Sequence, residues 1–545
     1  MTRLTSLTQA PLFNRFASML RRPSGSIIAM AILLTVLMLV MVTTIRSPEK
    51  DDVAWLLYVA RKWLAGQRLY EDLVEVNPPL IIWLYAIPAQ LALWLNAAPK
   101  LIAIPFFAVL VLASAWWSAC LLQGRGPLFA QRVPVFAVIG VVLLVVPGVE
   151  FGQREHLLTA AILPYLCVMA GWLDGSRSTR RTSVAAGIVA GLGCAFKPTY
   201  ALAFLLPELL GWLRGRPMIR TAPISAFLAA TLYGVIVLVF CPAFLRHAVP
   251  LALALYGGTD TPLPELLAEA RVVIFAGCVG TLLWIICRRQ LAARSSFVLC
   301  LFSILVTFTF GATIVYVLEG KNWFYHRIPA TMTAVLALVL WAFEILPNLK
   351  LPEVAVPRRR LIVASALTFA SLASFIYGGA VRMQPWVEEA VEPNLSTEVR
   401  LEKLIKHEHA RTYIAFSEWI ELGFPVVNNT GVVWTSRFDS MWALKGELWR
   451  AHQDGRAPAD WPIRHWVARD FVTGCPDIAV VDARGEGGIN YVAVLVASDP
   501  AFAQAWTHYH QIAEINGLRV LKREGPSCTE TTKRPKIAAA AIQAP

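Results

Sequence analysis

The chain has 545 residues, of which 57% are hydrophobic and 16% charged, and its mean hydropathy is +0.57. That is more apolar surface than a soluble core of this size absorbs, so a water-soluble protein is excluded and a polytopic α-helical membrane protein is expected. The net charge of +13 does not point to nucleic acid, because the arginines fall in short clusters between apolar runs, as they do in cytoplasmic loops.

The first apolar run, Ser26 to Ile45, follows Arg15, Arg21 and Arg22 and has no small-residue cleavage site behind a short apolar stretch. It reads as a retained anchor, with residues 1–25 as a cytoplasmic N-terminal segment. Ten further runs, near 101–122, 134–148, 157–173, 184–196, 199–213, 222–243, 271–287, 296–318, 328–346 and 361–380, bring the expected spans to about 11. The segment Pro78 to Asn96 is apolar enough to cross but carries three prolines and interface-type aromatics. If it stays on the outer surface as a juxtamembrane helix, Arg125 and Arg132, Arg177 to Arg181, Arg214 to Arg220, Arg288 to Arg294 and Arg358 to Arg360 all face the cytoplasm, as the positive-inside rule requires.

That topology puts the chemically unusual loops on one side. They are the first outer loop, residues 46–100, with "EKDDVAW" and "EVNPPL", then "PGVEFGQREHL", "AFKPTY", "YGGTDTPLPE" and "EGKNWFYHRIPA". The transmembrane domain runs from 26 to 380. Residues 381–530 lose the long apolar runs and read as an outer α/β domain, with strands in "RTYIAFS" and "PDIAVVDA" and a hairpin turning at Asn516-Gly517. Residues 531–545 read as a disordered tail. Trp434, Arg437, Phe438 and Trp442 suggest an aromatic platform for an acceptor, or equally a domain core. Cys475 and Cys528 are the outer domain's only cysteines and are expected to pair in an oxidising compartment.

No P-loop, GxSxG elbow or HExxH helix occurs, so nucleotide hydrolysis and the common soluble hydrolase chemistries have no support. What stands out is the adjacent acidic pair Asp51 and Asp52, where the first span ends. A carboxylate at that boundary keeps its charge in water while facing a reactive group at the lipid edge, which suits a general base; the bland alternative is that both aspartates solvate or cap a helix.

Followed by "WLLYVARKWLAG" and "LYEDLVEVNPPLIIWL", this pair resembles the first outer loop of the GT-C glycosyltransferases that use polyprenyl-phosphate sugars, a superfamily with protein mannosyltransferases and lipid A aminoarabinose transferases. The resemblance is strongest from Asp51 to Leu84 and looser beyond it. Matching "ARKWLAG" sets Asp52 on the acid taken as catalytic in those enzymes. Where many relatives carry Lys before the Pro-Pro pair, this chain has Asn77, so a donor-phosphate contact must come from another cation. Arg154, Lys197, Lys321 and Arg327 are the candidates, with Glu155, Asn77, Tyr325 and His326 as substrate contacts. The resemblance implies inverting transfer of a hexose or pentose from a polyprenyl-phosphate donor to a glycan, lipid or protein acceptor at a bacterial inner membrane, with the C-terminal domain periplasmic. No ATP is needed, no cofactor is certain, and a divalent ion, magnesium or manganese, is conceivable at Asp51 or Glu155. A lipid-linked glycan transporter or flippase, or an O-antigen polymerase or ligase, is the alternative.

Overall fold

The computed structural model describes residues 23–126, 128–176, 178–292, 296–345, 357–454, 461–482 and 488–525. Most of the N-terminal segment, the 531–545 tail and Cys528 lie outside these residues. Cys475 is disulfide-bonded, and the expected pairing with Cys528 remains an expectation.

The chain is a mostly helical, multi-pass membrane protein. Among the described residues eight helices are long and apolar enough to cross a membrane: Gly25–Arg46, Pro99–Leu122, Arg154–Asp174, Thr221–Phe240, Leu263–Ile286, Ser296–Glu319, Phe324–Phe343 and Ile362–Val391. The three remaining expected runs lie on shorter helices, Arg132–Val145, Arg180–Phe196 and Pro198–Leu213. Pro79–Leu95 is a short apolar helix.

The chain forms two compact units. One comprises Met1–Val42, Pro105–Tyr233 and Thr261–Gln384. Its centre is set by burial: Arg154–Asp174 is 89% buried and Ser296–Glu319 and Phe324–Phe343 are each 83% buried, against 11% for Thr221–Phe240. Apolar side chains all round the three central helices suit a helix enclosed by other helices, whereas the peripheral helices turn their apolar faces outward, as lipid contact requires. Small residues let backbones approach in this unit. A Cβ on Gly191 would lie 2.3 Å from the carbonyl oxygen of Ala226, and one on Gly311 would lie 2.2 Å from that of Ala203.

The other unit comprises Thr43–Ile104, Gly234–Asp260 and Pro385–Pro545, so the segment after the first long helix and the C-terminal region fold together. Its sheet has five strands in the order β2-β1-β3-β5-β4, with β1 Thr412–Phe416, β2 Val433–Trp434, β3 Ile478–Asp482, β4 Tyr509–Ile515 and β5 Leu518–Arg523. β1 is parallel to β2 and β3, and β5 runs antiparallel to β3 and β4. The β4–β5 turn is Asn516-Gly517, with φ of 51° and 79°, the doubly left-handed pair that a two-residue hairpin demands. Phe424 packs edge-on against Trp55 and tilted against Tyr58 of the first loop, with ring centroids 4.9 and 4.8 Å apart, and the Asn428 amide donates to the Ala54 carbonyl at 2.8 Å.

Of the two readings of the aromatic cluster, the domain core is the one found. Trp434, Phe438 and Trp442 are only 2%, 1% and 8% exposed, and the Arg437 guanidinium is held by both carboxylate oxygens of Asp470. They are core residues, not an open platform, because each aromatic face is already covered: Trp434 meets Tyr413 and Phe424, and Trp442 meets Tyr256.

Gly191→Leu forces the Arg180–Phe196 and Thr221–Phe240 helices apart and is expected to destabilise the protein by about 1–3 kcal/mol or more. Gly234→Ala, where a Cβ meets nothing within 4 Å, is the matched control. Thermal melting of the detergent-purified protein reads both; equal melting temperatures would contradict the close packing.

Candidate functional site

In the unit with the central helices, four helix ends supply one polar cluster. Pro198 forbids continuation of the Arg180–Phe196 helix, so Lys197 is extended at φ −151°, ψ 90°. Its Nζ reaches the Glu155 carboxylate at 2.7 Å and the Glu319 carboxylate at 2.9 Å. Glu155, fully buried, occupies the first turn of Arg154–Asp174, where the helix dipole favours a negative charge. Glu319 ends its own helix, where the dipole opposes it, and draws support from the Thr199 hydroxyl at 2.6 Å and His326 Nδ1 at 3.0 Å. His326 Nε2 lies 3.8 Å from Glu155, so the imidazole sits between the two carboxylates. The Tyr200 hydroxyl donates to the His326 carbonyl and fixes the Phe324–Arg327 turn that carries the ring.

The neighbouring loop is ordered by His156. Its Nδ1 accepts the Gly152 amide at 3.1 Å, so Nε2 carries the proton and donates to the Leu143 carbonyl at 2.9 Å. This orients the start of the helix bearing Arg154 and Glu155. Arg154 lies 4.0 Å from Glu155 and 5.8 Å from the Tyr325 ring, and Lys197 lies 5.9 Å from the same ring.

The structure therefore brings together Arg154, Glu155, Lys197, Tyr325 and His326. Lys321 is buried nearby in sequence, and Arg327 is turned to Glu269, accepting bonds being its carbonyl and, at 3.0 Å, its carboxylate. Glu319 was not among the expected residues, although it opens the quoted "EGKNWFYHRI" loop. With two carboxylates on it, Lys197 has its charge matched within the protein.

Asp51, Asp52 and Asn77 belong to the other unit. Asp51 and Asp52 start the Asp51–Leu64 helix. Asp51 is used locally: it accepts the Asp52 amide at 2.8 Å and pairs with Lys50 at 3.0 Å. Asp51 is the first residue of this helix, whose N-cap position is Lys50. The "EVNPP" run is pinned by buried Glu75, which accepts the Trp55 indole N–H at 2.6 Å and the amides of Val76 and Asn77 at 2.7 and 2.6 Å. Tyr70 donates to the Asn77 carbonyl at 2.5 Å. Asp439, a residue not anticipated, faces this set. Burial, then the charges of Glu75 and Asp52, push its carboxyl up to about 8, so it keeps its proton at neutral pH. The only hint in the sequence is that it is the one acid in "RFDSMW".

A divalent ion does not fit the donors proposed for it. Asp51 is engaged by Lys50, Glu155 by Lys197, and among the described residues no three His, Cys, Asp or Glu side chains are grouped to hold a metal ion.

Two outcomes follow from these clusters. Lys197→Met takes the shared ammonium from two buried carboxylates and is expected to cost about 3–5 kcal/mol; melting should drop sharply, with Lys197→Arg closer to the parent. Unfolded Asp439 releases its proton near 3.8 and the folded group near 8, so its contribution to stability is complete below about pH 4 and is lost as pH rises to 8. Asp439→Asn should flatten the fall of melting temperature between those limits. An unchanged pH profile would refute the assignment.

No family model and no curated protein matches the chain. Solved structures are similar to it. The crystal structure of ArnT from Cupriavidus metallidurans bound to undecaprenyl phosphate is 12% identical, with a TM-score of 0.49, over 92% of this chain and 98% of that one. An archaeal oligosaccharyltransferase, AglB from Archaeoglobus fulgidus in complex with an inhibitory peptide and a dolichol-phosphate, is 13% identical, with a TM-score of 0.43, over 88% of this chain and 72% of that one. The Archaeoglobus fulgidus oligosaccharyltransferase tethered to an acceptor peptide is 13% identical, with a TM-score of 0.42, over the same shares of the two chains.

Proposed function

We propose that this chain is a membrane glycosyltransferase that moves a sugar from a polyprenyl-phosphate donor to an acceptor hydroxyl on the outer face of the membrane. The observation that carries the reading is the anchoring of the first outer loop. Asp52 stands in the first turn of a helix whose buried face is fixed by Glu75 on Trp55 and by the packing of Phe424. A general base needs a carboxylate held in a constant position, and a merely solvating acidic pair needs none of these supports. Asp439 is held protonated by burial and by the charges of Glu75 and Asp52.

In this reading the acceptor O–H gives its proton to Asp52. The acceptor oxygen attacks the anomeric carbon from the face opposite the lipid phosphate, forming the new C–O bond as the bond to the phosphate oxygen breaks. The lipid phosphate leaves with that electron pair, and the anomeric configuration inverts. The donor class is the one the first-loop resemblance implies, and the C-terminal region is assigned to the periplasm with the first loop.

Asp52→Asn keeps size and polarity but removes the base. Transfer from a polyprenyl-phosphate sugar, followed in proteoliposomes, is expected to fall about 10²–10⁴-fold with unchanged expression and melting. Transfer at the parent rate would end this assignment.

A further inference from the structure

The turn before the Asp51–Leu64 helix buries a carboxyl that neither polar cluster described above uses. Glu49 is 8% exposed, and its Oε1 is buried with no hydrogen-bond partner among the described residues. Two cations act on it through space, Lys100 at the start of the Pro99–Leu122 helix and Arg61 on the Asp51–Leu64 helix, but among the described residues neither forms an ion pair with it. The Lys100 ammonium donates to the Ser47 carbonyl instead and feels Glu402 as well, and Lys50 is turned to Asp51.

What the Glu49 carboxyl meets is the amide of Asn428, its side-chain hydrogen-bonding neighbour on the Val426–Thr430 helix. That amide has a fixed orientation, because Nδ2 donates to the Ala54 carbonyl at 2.8 Å and turning it over would set oxygen against oxygen there. Oδ1 is left on the other branch, and it too is buried without a partner among the described residues. An ionised carboxylate is acceptor-only and cannot satisfy Oδ1, whereas a carboxylic acid has one O–H to donate. A single proton on Oε1 therefore pairs both orphaned atoms and removes a buried charge that no ion pair matches.

We propose that Glu49 carries a proton and donates it to Asn428 Oδ1, making the attachment of the Val426–Thr430 helix to the Asp51–Leu64 helix a pH-sensitive clasp. Asn428 joins the two, through Ala54 on one branch of its amide and Glu49 on the other. The proton comes from solvent and returns to it, and no other covalent bond changes. When Glu49 ionises, two acceptors face each other and that branch of the clasp is lost. The electrostatics agree with the geometry: burial pushes the carboxyl from 4.5 up to about 7 against the charge of Lys100. With the folded value above the unfolded one, the stabilisation is complete below about pH 4.5 and is lost as pH rises through 7. No step of the transfer chemistry enters this clasp.

The test uses full-length protein in phosphatidylcholine nanodiscs, with isotope-labelled glutamate and infrared spectra from about pH 5 to about pH 8.5. The parent is expected to show a protonated glutamic acid carbonyl band that fades as pH rises through about 7 and is absent from Glu49→Gln. Asn428→Ala removes the acceptor and should move that band to higher frequency, a readout that stands even where Glu49→Gln fails to fold. Melting is the second readout. Between the same limits the parent should lose a few degrees more than Glu49→Gln, whose amide donates to Asn428 at every pH. Asp439 titrates in both proteins, so their difference reports Glu49. A spectrum with no band that depends on Glu49, or a band that Asn428→Ala leaves in place, overturns the proposal. Equal pH dependence of melting in the parent and Glu49→Gln overturns the clasp.

Discussion

Burying the Lys197 ammonium between Glu155 and Glu319 is the constraint on which the membrane unit's polar centre depends. A single charge at that depth costs several kcal/mol of lost hydration, so each of the three is tolerable only while the other two stay within bonding distance. The distances of 2.7 and 2.9 Å therefore fix more than side chains. They fix the start of one central helix, the break after Phe196 and the end of Ser296–Glu319 relative to one another. His326 is seated between the carboxylates by the same arrangement, with the Tyr200 hydroxyl securing its backbone. Such a centre is rigid because loosening any member exposes the others to an apolar surrounding.

The other unit solves a similar problem with hydrogen bonds instead of ion pairs. Glu75 is 2% exposed and spends its oxygens on one indole N–H and two backbone amides. Those bonds turn the "EVNPP" run into a fixed corner leading to Pro79, whose missing N–H suits the first turn of the next helix. The acids of the first loop thus fall into distinct tasks. Asp51 steadies a helix start and Glu75 ties a corner.

The helices were legible because hydropathy is a property of whole segments, and a run such as 296–318 needs no partner to be recognised. The β4–β5 hairpin was legible because Asn-Gly meets a backbone requirement that few pairs satisfy. Arg154, Glu155, Lys197 and His326 stood out as charges between apolar runs, which are costly and therefore informative. Glu319 and Asp439 did not, because their roles come from side chains distant in sequence: Lys197 from Glu319, Glu75 and Asp52 from Asp439. Trp434, Phe438 and Trp442 left two readings open for a physical reason. An aromatic cluster has the same spelling whether its faces meet a ligand or the rings of Tyr413, Phe424 and Tyr256. Nor does local pattern show that Thr43–Ile104 completes its unit with Pro385–Pro545.

That discontinuity bears on biosynthesis. The first loop emerges from the ribosome about 280 residues before Pro385, a delay of roughly 15–55 s at ordinary elongation rates of about 5–20 residues per second. During that interval Trp55 and Tyr58 lack the Phe424 ring that ends up against them. The nascent chain must therefore carry an unfinished aromatic surface through most of its own membrane insertion. Premature termination anywhere before the final sheet would leave the loop permanently uncovered, a lesion that quality-control proteases read as unfolded protein.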